Sequence, residues 1–172
     1  MRPEEIRKAV KPYVPGWVAA ASVITYPEYW QGWLGNFQVY DANNARLSWT
    51  YNVYAVNKSG LDIYLAPAAA VSGWYAIIDI PLHAGTYRFL LMRRGTTGSG
   101  KFDIYVDGTK VSGATPLDAY EDPENANRAF TVTGITIAAG GLHTFKILNV
   151  GKTVSSSDYC LNGSYVGIDR TG

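Results

Sequence analysis

Apolar and polar side chains alternate at every second position through much of this chain, and this pattern limits its fold more than any other feature. Successive side chains of a β-strand point to opposite faces, so the alternation predicts half-buried strands. The alternating segments begin at Leu47, Leu61, Trp74, Tyr87, Phe102 and His143. Within them, Phe89, Ile104 and Phe145 are predicted to face the core. Each segment is short and bounded by Gly, Pro, Asn or Asp. Many such strands at near-regular spacing predict an all-β, antiparallel sandwich or barrel.

Turn signals support the same class of fold. Asp107-Gly108 follows the strand that ends at Val106 and predicts a tight hairpin, because both residues can adopt positive φ. The stretch Ser112–Arg128 is expected to be irregular and acidic. Apart from residues 3–11, no helical pattern accompanies the strands, so a doubly wound α/β fold is not expected.

The N-terminal residues follow a different pattern. Residues 3–11 predict a short helix, with proline and acids at its start and bases in its last turn. Ile6 and Val10 belong to its narrow apolar stripe, and a helix this short needs a partner surface. We therefore divide the chain into an N-terminal arm, residues 1–16, and one β-sandwich domain, residues 17–172.

Composition excludes several classes of protein. The chain has 172 residues, a net charge of +1 and no basic block, which argues against nucleic-acid binding. One cysteine excludes an intrachain disulfide. No apolar run approaches the ~20 residues of a membrane span. No signal peptide is recognised near the start, so secretion is not expected.

Gly95–Lys101 matches the first seven positions of a phosphate-binding P-loop. The mechanism then requires Ser or Thr and a helix, but Phe102 follows and begins an alternating segment. The glycines therefore predict a hairpin loop, and nucleotide binding is not expected.

Residues for catalysis are few. His83 lies at a turn, His143 in a strand and Cys160 in a Tyr-Cys-Leu strand, where a small buried residue is the usual interpretation. No nucleophile elbow or metal-ligand spacing includes them. We expect the protein not to be an enzyme and to require no cofactor.

One dense group of carboxylates is a calcium candidate, because calcium takes several oxygen ligands from a flexible loop. The group comprises Asp118, Glu121, Asp122 and Glu124. Its spacing matches no EF-hand, and the alternative is an acidic loop that is simply solvated. We therefore expect no bound metal, and these four carboxylates are the one candidate site to be tested against the structure.

Aromatic side chains crowd one short segment, in a set made up of Tyr26, Tyr29, Trp30, Trp33, Phe37 and Tyr40. Three interpretations remain open. The rings could stack against sugars, form an interface with neighbouring subunits, or cap the core of their own domain. We favour the interface, shared with Ile6 and Val10 of the arm.

The second half of the chain resembles the galactose-binding-like jelly rolls, which include many carbohydrate-binding modules. The resemblance lies in Ala84–Phe89, Phe102–Gly108 and Ala138–Phe145. It implies an antiparallel jelly-roll β-sandwich, here with a short N-terminal helical arm. In such modules loop aromatics and an Asn near the C-terminus bind sugars, and the matching positions are Tyr159, Asn162 and Tyr165.

The whole chain also resembles small structural proteins of tailed phages. That resemblance implies a virion component, in capsid decoration or the tail, made in the host cytoplasm. Its partners would be further copies of itself and other virion proteins. The sequence-based hypothesis is therefore a non-enzymatic virion protein, and its alternative is a carbohydrate-binding module with glycan partners.

Overall fold

The computed structural model describes residues 29–48, 50–52, 62–65 and 71–172, and within them the chain is a two-sheet antiparallel β-sandwich. The strands of sheet A are β1 (Tyr29–Trp33), β4 (Thr50–Asn52), β5 (Asp62–Leu65), β7 (Gly85–Gly95), β11 (Asn125–Ile137) and β13 (Leu161–Arg170). The strands of sheet B are β2 (Gln38–Tyr40), β3 (Arg46–Leu47), β6 (Tyr75–Leu82), β8 (Gly100–Val106), β9 (Thr109–Lys110), β10 (Leu117–Asp118) and β12 (Gly141–Lys152). One 3-10 turn, Leu34–Asn36, joins β1 to β2.

Strand order differs from chain order in both sheets. Sheet A runs β11-β7-β13-β5-β4, and β1 pairs with the other half of β13. Sheet B runs β10-β8-β12-β6-β2-β3, and β9 pairs with β8. This alternation between two antiparallel sheets confirms the predicted jelly-roll sandwich. No helix in the described residues is long and apolar enough to cross a membrane.

The core lies between the inner faces of the two sheets. Phe89 of β7 and Phe145 of β12 stack across the interface, with ring centroids 6.3 Å apart. Trp74 packs edge-on against Phe102 at 5.5 Å. Each of these four side chains is fully buried. The prediction that Phe89, Ile104 and Phe145 face inward is confirmed, since all three are 0% exposed.

The hairpin signal at Asp107-Gly108 is confirmed. Both residues adopt positive φ, 48° and 80°, and the turn joins β8 to β9. The segment Gly95–Lys101 leads into a strand and not into a helix, as predicted, but the hairpin prediction is wrong. It runs from the end of β7 in sheet A to the start of β8 in sheet B.

Two parts of the strand prediction are wrong. The alternating segment that begins at Leu47 is not one strand, because β3 belongs to sheet B and β4 to sheet A. Such a change of sheet is how a sandwich turns a corner. The stretch expected to be irregular up to Arg128 contains β10 and the first residues of β11. Register shifts in β11 break the period-two pattern that would have revealed it.

The Asp107 carboxylate links the hairpin turn to β12. It lies 2.6 Å from His143 Nδ1 and accepts the Thr144 backbone N–H at 2.9 Å. Burial acts to raise the pKa of Asp107, but the bonds from the His143 ring and the Thr144 amide outweigh it, and the pKa is lowered from its usual value.

We predict that Phe145→Ala lowers the free energy of unfolding by ~3–5 kcal/mol, because it removes a fully buried ring at the contact between the sheets. Leu142→Ala is the control, since that side chain is 59% exposed and should change stability by less than ~1 kcal/mol. Urea unfolding of both variants measures the difference. Equal losses would show that β12 has the wrong face inward.

We predict that Asp107→Asn is less stable than the unchanged protein at about pH 6, and that this difference shrinks as the pH falls below about 4. A lowered folded-state pKa stabilises the fold above the unfolded-state pKa, and this contribution disappears as the pH falls through the folded value. About half of the Asp107 side chain is exposed, 50%, so screening limits the gap to ~0.5 kcal/mol. Urea unfolding across this pH range measures it, and a gap that widened in acid would contradict the assignment.

Candidate functional site

Tyrosine side chains form a continuous surface on the outer face of sheet B. Inward positions of its strands carry the core residues, so the positions between them face outward. Tyr40 of β2, Tyr75 of β6 and Tyr105 of β8 occupy such positions, together with Lys146 of β12. All four side chains are partly exposed. We call these four residues the tyrosine face.

The rings and the lysine are in mutual contact. Tyr40 and Tyr75 are directly opposite across β2 and β6, and their rings stack at 5.3 Å with 20° between the planes. The Lys146 ammonium lies 4.4 Å from the centre of the Tyr75 ring and 5.8 Å from that of Tyr105. The cation–π contact places a positive charge between two aromatic rings.

Hydrogen bonds to neighbouring amides fix the two stacked rings. Tyr40 donates its hydroxyl to Gln38 Oε1 at 2.7 Å, and Tyr75 donates to Asn44 Oδ1 at 2.8 Å. Asn44 lies in the turn between β2 and β3 with φ of 65°, a conformation that Asn tolerates well. Asp41 holds this turn by accepting the backbone N–H groups of Asn43 and Ala45.

A cavity of about 270 Å³ with both polar and apolar lining residues adjoins the tyrosine face. Its lining residues are Asn36, Gln38, Ile77, Ile78, Asp79 and Leu142. The Asp79 carboxylate accepts the Thr144 hydroxyl at 2.6 Å. Amide and carboxylate groups can hydrogen-bond to ligand hydroxyls, while the aliphatic side chains offer an apolar wall. This combination suits a ligand with many hydroxyls and an apolar ring face.

The three residues that the sequence matched to sugar-binding positions do not form one surface. Asn162 is 4% exposed, donates to Thr96 Oγ1 at 3.2 Å, and has a buried Oδ1 without a partner in the described residues. Tyr159 is half-buried beneath the Lys152 ammonium, 4.9 Å from its ring centre. Tyr165 lies in the part of β13 that pairs with β1 and β7, and its hydroxyl approaches Gly167.

The aromatic segment is divided between core and surface. Phe37 is 2% exposed and belongs to the core, so it is not an interface residue, and Trp30 packs partly against the same core. Phe37 lies just before β2 and is buried, whereas Tyr40 at the end of β2 is partly exposed. Tyr29 and Trp33 lie in β1. Tyr26, Ile6 and Val10, with the predicted helix, lie outside the described residues.

Arginines of β7 neutralise two of the calcium candidates. Arg93 contacts the Glu121 carboxylate at 3.0 Å and lies 4.3 Å from the centre of the Phe130 ring. Burial lowers the pKa of Arg93, and Glu121 only partly offsets this. Arg94 pairs with Glu124. These carboxylates serve ion pairs at the end of the sandwich.

The other two calcium candidates, Asp118 and Asp122, do not belong to a group of possible metal ligands among the described residues. Asp118 accepts the Thr153 hydroxyl at 2.8 Å and lies 3.7 Å from Lys101, and Asp122 is exposed. Within the described ranges, no three His, Cys, Asp or Glu side chains are grouped to hold a metal ion.

The candidate catalytic residues lie on three different segments of the chain. His143 has acceptors at both ring nitrogens, Asp107 at Nδ1 and the Ala139 carbonyl at Nε2, 3.1 Å away. Cys160 is buried, 1% exposed, next to the start of β13. His83 follows β6, and its carbonyl accepts the Tyr87 hydroxyl.

Sequence reasoning missed most of the tyrosine face. The sequence singles out Tyr40 but gives no reason to group it with Tyr75, Tyr105 and Lys146, which lie in other predicted strands. The available signal was the residue type: tyrosine at an outward position carries a large ring to the surface. The neighbourhood of these rings depends on strand order, which the sequence does not give.

No protein-family model matches the chain, and no curated protein sequence matches it. Among solved structures, a Paenibacillus xanthan lyase is similar, with 26% identity and a TM-score of 0.60. The match covers 78% of this chain and 13% of the lyase, so the chain spans a small part of that protein's length.

Carbohydrate-binding modules are also among the similar structures. The family 35 module from Paenibacillus barcinonensis is 14% identical, with a TM-score of 0.49, and the match covers 82% of this chain and 98% of the module. The family 35 module from Clostridium thermocellum is 13% identical, with a TM-score of 0.46 and coverage of 77% and 97%. The similar structures thus include carbohydrate-binding modules with a jelly-roll β-sandwich.

Proposed function

We propose that this domain is a non-catalytic carbohydrate-binding β-sandwich that holds its ligand on the tyrosine face. The observation that carries the proposal is the group of three partly exposed tyrosines on one sheet face, next to a cavity with amide and carboxylate side chains. The resemblance of most of the chain to part of a xanthan lyase supports it.

The chemistry of sugars matches this surface. A sugar ring has an apolar face that fits against an aromatic side chain and a rim of hydroxyls that need hydrogen-bond partners. Tyr40 and Tyr75 supply aromatic surface where they are not covered by each other or by Lys146, while Gln38 and Asp79 supply acceptors at its edge. Rings held by hydrogen bonds lose little freedom when a ligand binds, which favours affinity.

A binding role without catalysis is supported by the state of the candidate catalytic groups. Both ring nitrogens of His143 already contact acceptors, which leaves neither directed to a substrate proton. Cys160 is buried, so its thiol is not open to a ligand on the surface.

The virion role remains a sequence-based hypothesis, and the findings favour the carbohydrate alternative. The burial of Phe37 removes one of the aromatic rings that were expected to contact neighbouring subunits. Self-association and virion partners stay predictions that measurement of the oligomer mass would test.

We predict that Tyr75→Ala weakens glycan binding by ~10-fold or more, which corresponds to about 1.4 kcal/mol. The change removes the ring at the centre of the tyrosine face and leaves the core intact. Isothermal titration with xanthan, xylan and mannan oligosaccharides measures it, and circular dichroism checks that the variant is folded.

Tyr165→Ala is the matched control, because Tyr165 is also a partly exposed strand tyrosine but belongs to sheet A. A loss of binding in this variant alone would assign the site to the residues matched from sequence. A protein that binds no glycan and forms a stable oligomer in light scattering would contradict the proposal and favour assembly.

A further inference from the structure

We propose that the tyrosine face selects acidic glycans, and that Arg46 and Lys146 pair with the anionic groups of the ligand. This inference rests on the proposed function and adds the class of sugar. The anionic groups that match these cations are carboxylates and sulfates.

Two cations lie beside the stacked tyrosines. Arg46 of β3 is directly opposite Tyr40 of β2, and directly opposite residues in a sheet share a face. Lys146 lies over the Tyr75 ring, 4.4 Å from its centre. Arg46 and Lys146 therefore stand on opposite sides of the Tyr40–Tyr75 pair, and Arg46 is exposed.

Among the described residues, Arg46 and Lys146 differ from Lys110 and Lys101 of sheet B in having no carboxylate partner. Lys110 pairs with Asp103 at 2.8 Å and Lys101 with Asp118 at 3.7 Å. In the part of the chain that the structure describes, no carboxylate lies within ion-pairing distance of Arg46 or Lys146. A ligand anion would supply the missing partner.

The carboxylate of Asp79 lines the cavity that adjoins the tyrosine face. Asp79 is on the same strand as Tyr75, with Ile77 between them, and it accepts the Thr144 hydroxyl. An anion is favoured beside the tyrosine pair and a hydroxyl is favoured beside Asp79. A polysaccharide with acidic groups and free hydroxyls meets both requirements, whereas a small inorganic anion meets only the first.

The expected effects follow from exposed electrostatics. An ion pair at the surface is modest and weakens as salt rises, because ions screen it within about 10 Å at 0.1 M. Arg can also engage a carboxylate through two parallel hydrogen bonds. We therefore expect each cation to contribute a ~3–10-fold preference for charged glycans, and salt to remove it.

The test compares glycans that differ only in charge. Polygalacturonate and its fully methyl-esterified form share one backbone, as do dextran sulfate and dextran. Affinity is measured at low and high salt for the unchanged protein, Lys146→Met, Arg46→Gln and Lys101→Met. The last variant is the control, since it removes the same charge from a lysine that already has a carboxylate partner.

The expected result is tighter binding of the charged member of at least one pair, reduced by Lys146→Met and Arg46→Gln but not by Lys101→Met. A preference for polygalacturonate identifies carboxylate as the anionic group, and a preference for dextran sulfate identifies sulfate. Either preference, if lost at high salt and retained by the control, supports the inference.

Three outcomes would overturn it. Equal affinity for charged and neutral glycans, still sensitive to Tyr75→Ala, would leave the proposed function intact and remove the selectivity. An equal loss in all three charge variants would mean non-specific attraction of polyanions. Absence of binding to charged and neutral glycans alike would remove the proposed function and the inference together.

Discussion

The stack of Phe89 on Phe145 joins the two sheets, and the surface described above depends on it. Because side chains alternate along β12, the inward position of Phe145 sets the outward position of Lys146. The same relation holds in β8, where buried Ile104 precedes Tyr105. A shift of either strand by one residue would send the tyrosine or lysine into the core. The alternation that buries the core residues of β8 and β12 therefore also places Tyr105 and Lys146 on the outer face.

Local pattern was enough to predict the fold class and a large part of the core. Phe89, Ile104 and Phe145 were identified from alternation alone, and all are fully buried. The Asp107-Gly108 turn was also local, since it depends on the φ preferences of two adjacent residues. What alternation does not contain is strand order. It gave no sign that β3 and β4 enter different sheets, or that Tyr40 and Tyr75 become neighbours.

The acidic stretch shows the same limit at the level of charge. Read along the chain, Glu121 and Glu124 are close together and suggest a cation site. In the fold their partners are Arg93 and Arg94, which β7 brings from a distant part of the sequence. Buried or half-buried charges need partners, and strand pairing supplies them here. The role of these acidic residues could not be interpreted without knowing that β7 places arginines beside them.

The position of β13 in sheet A has a consequence for the order of folding. This strand lies between β7 and β5 and pairs along its second half with β1, the first described strand. During synthesis β7 and β11 can pair before β13 is available, because both precede it in the chain. Sheet A cannot become continuous until residues 161–170 leave the ribosome. Such distant pairings slow the folding of β proteins, and the unpaired edges of β1, β5 and β7 stay exposed meanwhile to other chains.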